Sequence, residues 1–383
     1  MTSCDEWNEQ DRSSMAMALD LARKGLGNVE PNPAVGAVLT RNDKIIGQGY
    51  HHFFGGPHAE VDAIRDAQAR GESTRDATLY VTLEPCCHFG KTPPCTQAVI
   101  AAGVKRVVVA AMDPSDKVAG KGIAALQSAG IEVQAGLMAD QAEALNAWFF
   151  KFHRHHQPWV ICKWAQTLDG KLAARTGHSK WITGPEARLE AHRLRQTCQA
   201  IVVGIGTALA DDPELTVRLE NRNSNYSQIM ARVPDRVVMD AGLRVEISSK
   251  LVQSAKVTPT WVFTSNKADK TKIEMLENLG VHVVVLTTLD SGQLNLAEFL
   301  SFAADRGWAR VMVEGGAKLL SSFLTAHLAD ELVVFQSPSL AMDEQARQLG
   351  GQANFKADDF LRNFKFQRIS QVGNDAMFRL VLK

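Results

Sequence analysis

The chain has no excess of either charge. Lys and Arg total 42 and Asp and Glu total 42, so the formal net charge is zero. That removes the global positive field by which a protein gathers nucleic acid or an anionic membrane. No apolar run approaches the roughly 18 to 20 residues that a membrane-crossing helix needs. Met1 to Gln10 is polar and acidic, without signal-peptide character. Disulfide spacing is missing as well. Of the cysteines, Cys86, Cys87 and Cys95 crowd one stretch, while Cys4, Cys162 and Cys198 are scattered. This usage fits a reducing cytoplasm better than a disulfide scaffold. Gly204-Ile205-Gly206 lacks the third glycine of the dinucleotide fingerprint. What is present is ordinary globular composition, 45% hydrophobic, in 383 residues. That length suits about two or three domains.

The densest chemistry lies between His58 and Cys95. His58-Ala59-Glu60 opens the stretch and Pro85-Cys86 to Pro94-Cys95 closes it. One imidazole, two thiols and a spare carboxylate are what a hydrolytic zinc site needs. His58, Cys86 and Cys95 supply three ligands and leave the fourth position to water, the mark of a catalytic zinc. Glu60 is then the proton carrier. H-x-E followed by P-C-x-x-C marks nucleobase deaminases; here the longer segment Cys87 to Pro94 separates the two cysteines. Residues two apart do not share a face of a regular helix. His58 must therefore sit at a helix entrance, which Gly55-Gly56-Pro57 allows. Cys95 also falls at a predicted helix start, where thiolate is favoured. Cys87, next to a ligand, is expected to point away. His51, His52 and His88 stand open between substrate contacts and solvated loop residues. Cys4, Cys162 and Cys198 read as small buried hydrophobes.

Strands alternating with helices predict layered α/β structure. In the first half a helix capped by Ser13 or Ser14 precedes a hairpin over 35–50, a helix from near His58, and strands over 78–83, 106–111 and 131–134. Trp148 to Gln157 is aromatic and basic and holds His153, His155 and His156. It reads as a linker, placing the boundary at about residue 150 and the domains at 1–150 and 151–383. Beyond it, strands are predicted over 159–165, 200–203, 237–240, 261–264, 281–286 and 311–314, and helices over 185–196 and 317–326. Gly315-Gly316, between strand and helix, is either an anion cradle or a tight turn.

Residues 11–150 resemble the deaminase half of the bifunctional deaminase/reductase family of riboflavin biosynthesis. The matching stretches are Pro31-Asn32-Pro33-Ala34-Val35-Gly36, His58-Ala59-Glu60, Thr82-Leu83-Glu84-Pro85-Cys86, Thr92-Pro93-Pro94-Cys95 and Asp113-Pro114. Residues 158–383 resemble its reductase half, on Lys163-Trp164-Ala165 with Leu168-Asp169-Gly170, Ser179 to Gly184, Thr207 to Arg218, and Glu314-Gly315-Gly316. The resemblance implies a cytidine-deaminase-like three-layer α/β/α domain followed by a dihydrofolate-reductase-like α/β domain. It implies Zn2+ and NADPH as cofactors, a small phosphorylated pyrimidine as substrate, a homo-oligomer and a cytoplasmic location. Neither nucleic acid nor membrane is an expected partner. The implied reactions are hydrolytic deamination of 2,5-diamino-6-(5-phosphoribosylamino)pyrimidin-4(3H)-one and NADPH-dependent reduction of its ribosyl group to ribityl.

Carried over by position, the resemblance has the cofactor touch Ala165, Trp181, Thr207, Asp211, Gly316, Ala317, Lys318, Leu319, Leu320, Ser321 and Ser322. It has the substrate touch Ser179, Arg195, Leu215, Arg218 and Glu314. Arg195 and Arg218 suit phosphate clamps because guanidinium matches phosphate geometry. Two positions depart from the family pattern, which has Ser where Cys87 stands and Asp-Ser where Asp240-Ala241 stands. The second removes a hydroxyl contact to cofactor. Lys267 is a candidate partner for a 2′-phosphate.

Two rivals belong to other classes. A nucleic-acid-editing deaminase would form a tight, salt-sensitive RNA complex. A zinc-stabilised scaffold would close its metal with a fourth protein ligand.

Overall fold

The structure is a computed structural model that describes residues 7–89, 93–177, 182–219, 233–350 and 364–382. It separates into two compact units, Met1–His155 and His156–Lys383.

The first unit runs α1 (Glu9–Arg23), β1 (Gly36–Arg41), β2 (Lys44–Tyr50), α2 (Ala59–Ala69), β3 (Thr78–Leu83), α3 (Cys95–Ala101), β4 (Arg106–Ala111), α4 (Lys121–Ser128), β5 (Glu132–Ala135), α5 (Ala139–Leu145) and α6 (Ala147–His155). Its five strands lie in the order β2-β1-β3-β4-β5. β1 is antiparallel to β2 and β3, and β3, β4 and β5 are parallel. β3 and β4 are continuous buried apolar runs, as strands covered on both faces must be. One face packs Ala37, Leu39, Val81 and Val107 against Ala63 and Ala67 of α2, Val99 of α3 and Leu126 of α4. On the other face α1 lies so close that a Cβ on Gly36 would meet the Ala18 carbonyl oxygen at 2.0 Å. Three α/β/α layers result. Helix α1 starts earlier than Ser13 or Ser14 would set it. Asn8 accepts from the Asp11 N–H at 2.7 Å and Asp11 accepts from the Asn8 N–H at 3.3 Å, a reciprocal capping box. That box satisfies two orphan donors at once.

The stretch read as a linker is largely helix α6. Trp148, Phe149 and Phe150 are buried on it, and apolar burial outweighs the basic composition that suggested a solvated connector. The chain changes unit at the end of this helix, between His155 and His156.

The second unit runs β6 (Trp159–Gln166), β7 (Lys171–Ala173), α7 (Pro185–Gln196), β8 (Ala200–Gly204), α8 (Ile205–Asp211), β9 (Asp235–Met239), α9 (Lys250–Gln253), β10 (Thr260–Ser265), α10 (Lys270–Asn278), β11 (Val281–Leu286), α11 (Leu296–Asp305), β12 (Arg310–Glu314), α12 (Ala317–Thr325), β13 (Glu331–Gln336), β14 (Arg347–Gln348), β15 (Phe364–Val372) and β16 (Asp375–Leu382). Nine strands lie in the order β11-β10-β9-β8-β12-β6-β13-β16-β15. The first seven of these are parallel, and the β15–β16 hairpin closes one edge antiparallel to β13. Two apolar clusters cover the sheet, one including Ala187, Ala191 and Leu194 of α7, the other Phe299 of α11 and Phe323 of α12. β8, β12 and β6 are neighbours. Their carboxyl ends therefore lie side by side, at the end of the sheet where open α/β folds bind ligands.

Candidate active sites

In the first unit, His58 is the N-cap of α2, with extended φ −75° and ψ 161°. Its ring is thereby freed from helical geometry while Glu60 sits in the first turn. His58 Nδ1 lies 3.0 Å from Cys95 Sγ and 3.6 Å from Cys86 Sγ. Zn–N of about 2.0 Å and Zn–S of about 2.3 Å at tetrahedral angles put N and S roughly 3.6 Å apart. The three donor atoms lie within 4.8 Å of one another, so the set fits zinc. Among the described residues no other group of three His, Cys, Asp or Glu side chains converges in this way. Cys87 turns aside, its Sγ 3.9 Å from the Lys117 carbonyl oxygen.

The thiols titrate as a pair. Hydrogen bonds from Cys95 and from His58 hold the Cys86 thiol down at about 4. Cys95, hydrogen-bonded to that sulfur and buried, is pushed well up. Glu60 is 3% exposed. Burial raises its carboxyl to about 6, against the pull of His58. His51 is neutral: burial takes it down to about 4. Its ring sits 2.9 Å by Nδ1 from the Pro57 carbonyl oxygen and 3.1 Å by Nε2 from Asn32 Nδ2. An Nδ1–H donating to Pro57 and an Nε2 accepting from Asn32 satisfies both contacts, and fixes the residue just before His58.

A residue the sequence did not single out anchors the cysteine loop. Glu84 follows β3 and directly precedes Pro85-Cys86. Its carboxylate accepts from the N–H groups of Asp113, Gly120, Gly122 and Ile123 at 2.9–3.2 Å. It thus ties the Cys86 loop to the start of α4, where a negative group is favoured. Glu84→Ala is expected to destabilise the first unit by about 3 kcal/mol, since several inward N–H groups lose their acceptor together. Equilibrium denaturation checks this. Asp113 is 9% exposed and burial lifts it to about 6. Asn32, His51, Glu60, Cys86 and Asp113 line one cavity of about 300 Å³, with Phe149 and His153 of α6 on its wall.

In the second unit, Glu314 ends β12 in register with Lys163 of β6. Glu314 is 9% exposed. Lys163 Nζ reaches its Oε1 at 3.2 Å, and Arg195 grips it with Nε to Oε2 at 2.9 Å and Nη2 to Oε1 at 3.0 Å. Burial pushes this carboxyl up, but Arg195 and Lys163 outweigh it and hold it at about 2. Arg195 Nη1 donates to the Thr216 carbonyl oxygen at 2.9 Å, so its fork is engaged inside the protein rather than offered to a phosphate. Arg218 is exposed and pairs with Glu214 at 2.9 Å. Its N–H donates to Nδ1 of His192, a second residue not foreseen. Burial and the charges of Arg195 and Arg218 lower His192 to about 4. Leu215 is buried at φ 51°, so its side chain belongs to the core.

Thr207 meets the glycine pair directly. A Cβ on Gly316 would stand 2.7 Å from Thr207 Oγ1 and one on Gly315 3.3 Å from Thr207 Cγ2. Both glycines have positive φ, so the backbone at the start of α12 takes a form that side chains resist. Asp211 ends α8, and Ala317, Lys318, Leu319, Ser321 and Ser322 lie along α12. Leu320 turns into the core. Ala165 is partly buried near the end of β6. Ser179 and Trp181 lie outside the described residues, as does Cys4. Lys267 is exposed beyond β10.

Residues 8–111 match the family model of the cytidine and deoxycytidylate deaminase zinc-binding region, and residues 158–378 match that of the RibD C-terminal domain. A riboflavin biosynthesis protein RibD of Aquifex aeolicus is 45% identical over 332 residues, covering 87% of this chain and 88% of the relative. The chain belongs to the RibD family. Two solved structures agree with it over their whole length. Acinetobacter baumannii RibD superposes with a TM-score of 0.80 at 36% identity, covering 98% of this chain and 99% of its own. A deaminase/reductase of Thermotoga maritima gives 0.76 at 34%, with the same coverages. As a RibD, the chain is a bifunctional enzyme of riboflavin biosynthesis. A zinc-binding deaminase domain precedes an NADPH-dependent reductase domain. The two α/β folds, the two activities and the two cofactors expected from the resemblance are all borne out. Family membership also sets aside the RNA-editing and scaffold rivals. No helix among the described residues is long and apolar enough to cross a membrane.

Proposed function

We propose that the unit ending at α6 removes an amino group from 2,5-diamino-6-(5-phosphoribosylamino)pyrimidin-4(3H)-one and that the remainder reduces the ribosyl group of the product. The Thermotoga maritima relative is described as a diaminohydroxyphosphoribosylaminopyrimidine deaminase and 5-amino-6-(5-phosphoribosylamino)uracil reductase. The observation that carries the first assignment is the convergence of His58 Nδ1, Cys86 Sγ and Cys95 Sγ beside the buried carboxyl of Glu60 in a single cavity. Zinc bound there supplies a Lewis acid that lowers the pKa of water towards about 7. Glu60 accepts the water's proton on its carboxylate and returns it to the leaving nitrogen. A carboxyl lifted towards neutrality by burial can do both. Asn32 and Asp113 offer hydrogen bonds to the edge of the pyrimidine. His51 holds Pro57, and so the turn into His58.

In the second site NADPH supplies the hydride. Thr207 and the Gly315-Gly316 turn cradle its phosphates against the start of α12, and the Asp211 carboxylate accepts from its ribose hydroxyls. Glu314, kept ionised by Lys163 and Arg195, contacts the substrate's sugar hydroxyls. Arg195 acts through Glu314 as a positioning residue. Arg218, held by exposed contacts to Glu214 and to the Thr216 hydroxyl, is the arginine that turns to the substrate phosphate. Ser179 and Trp181 complete the substrate and nicotinamide contacts on the resemblance alone. A cytoplasmic, homo-oligomeric enzyme without a nucleic-acid partner is part of this reading.

A coupled assay tests the scheme. After zinc is stripped, the diamino substrate is expected to give no ammonia and no NADPH oxidation, while the deaminated intermediate still oxidises NADPH at the full rate. NADPH oxidation with the diamino substrate that survives zinc removal would overturn the order of the two steps.

A further inference from the structure

We propose that a basic rim formed by Lys117, His153 and His88 receives the phosphate of the deaminase substrate, which makes helix α6 part of that binding site. The inference rests on the reading of the cavity as the deaminase site and adds to it which end of the substrate lies where.

The cavity has two chemically different ends. Its inner end is buried: Glu60, His51 and Asp113 are 3%, 2% and 9% exposed. Burial lifts Glu60 and Asp113 only to about 6, so at neutral pH their carboxylates repel a phosphate, and both ring nitrogens of His51 are taken. That end suits an uncharged pyrimidine ring. The outer end is open, and the lining residues exposed there include His88, Lys117 and His153. A phosphate monoester carries between about one and a half and two negative charges. The amino-bearing ring carbon has to reach the metal ligands and Glu60 at the buried end, which leaves the phosphate of the same substrate to the open end. The rim keeps it partly hydrated and brings it to an ammonium group and two imidazoles.

The three side chains come from different elements that meet. Cys87, one residue before His88, touches the Lys117 carbonyl oxygen. Burial holds His153 below the usual imidazole range, with the charge of Asp116, the acid facing this rim, raising it and that of Lys117 lowering it, so it meets a phosphate as a neutral N–H donor beside the Lys117 ammonium. Lys121 of α4 contacts the Asp116 carbonyl oxygen at 2.6 Å. His153 is set by Phe149, its ring edge-on at 4.5 Å. Phe149 is itself buried, so the imidazole stands on a fixed support at the mouth. Nothing else in the deaminase chemistry uses Lys117 or His153.

The test compares ammonia release from the phosphorylated substrate with that from its dephosphorylated nucleoside. In Lys117→Met/His153→Gln the preference for the phosphorylated form, as the ratio of the two kcat/KM values, is expected to fall about ten-fold through KM. His153→Lys in the otherwise natural chain is expected to keep the preference. Added salt is expected to erode it in the natural enzyme and not in the double variant. Zinc content and the rate on the dephosphorylated nucleoside report that the first unit of each variant is folded. An unchanged ratio in the double variant, or equal losses on both substrates, overturns the rim. Glu60→Gln separates the two levels: if it leaves ammonia release intact, the cavity itself has been misread.

Discussion

Glu60→Gln is expected to cut ammonia release by about a thousandfold while zinc stays bound and reduction of the deaminated intermediate continues. The amide keeps the shape and burial of the carboxyl but can neither take nor return a proton, and positioned acid–base groups contribute on the order of a hundredfold to ten-thousandfold. His58, Cys86 and Cys95 are untouched, so metal analysis should give the same zinc content as the natural enzyme. The isosteric change avoids the cavity that Ala would leave at a position only 3% exposed. Ammonia release at an undiminished rate would remove Glu60 from the chemistry and leave the metal site without its proton carrier.

The second large effect is expected at Glu314. Glu314→Gln leaves Lys163 and Arg195, 14% and 13% exposed at their side chains, with no anion between them. Breaking a buried pair by removing one partner costs about 3 to 5 kcal/mol, and reductase activity should fall with it. The pH dependence has a definite sign. Glu314 is lowered in the folded chain from 4.5 to about 2. Its contribution is therefore fully present above the unfolded value and is lost as the pH falls through about 4.5 towards 2. The shift corresponds to about 3 kcal/mol, in line with the cost of breaking the pair. Urea denaturation at neutral and at low pH should show the natural chain and the Gln variant converging as acid is added. Parallel curves over that range, together with full reductase activity in the variant, would show that the three side chains stabilise nothing jointly.

The sequence carried much of the first site because its signals are local. His58 and Glu60 are neighbours on one turn, Cys86 follows a strand end, and Cys95 opens a helix, so spacing and a few glycines and prolines disclosed them. Glu84 gave less away. A carboxylate after a buried strand looks the same in one dimension whether it faces solvent or accepts four backbone hydrogens from a loop about thirty residues on. Helix α6 was hidden differently: its basic residues and histidines suggested a connector, whereas the packing of Trp148, Phe149 and Phe150 made it a wall of the cavity. The closing hairpin of the second unit was missed because β15 is exposed along most of its length. It offers no clean alternation to read.

The residue order alone determined the chemistry on hand: an imidazole, two thiols and a carboxylate at metal-site spacing, two α/β halves, and a glycine pair between strand and helix. It could not determine the partners. Arg195 had the right group for a phosphate, yet it lies 119 positions from the carboxylate it grips. That meeting is set by the register of β12 on β6, which places Glu314 beside Lys163, and by helix α7, which brings Arg195 to the same end of the sheet. Sequence spacing fixes distances only along one element; contacts between elements depend on how sheets and helices pack, and the tertiary structure alone settles that.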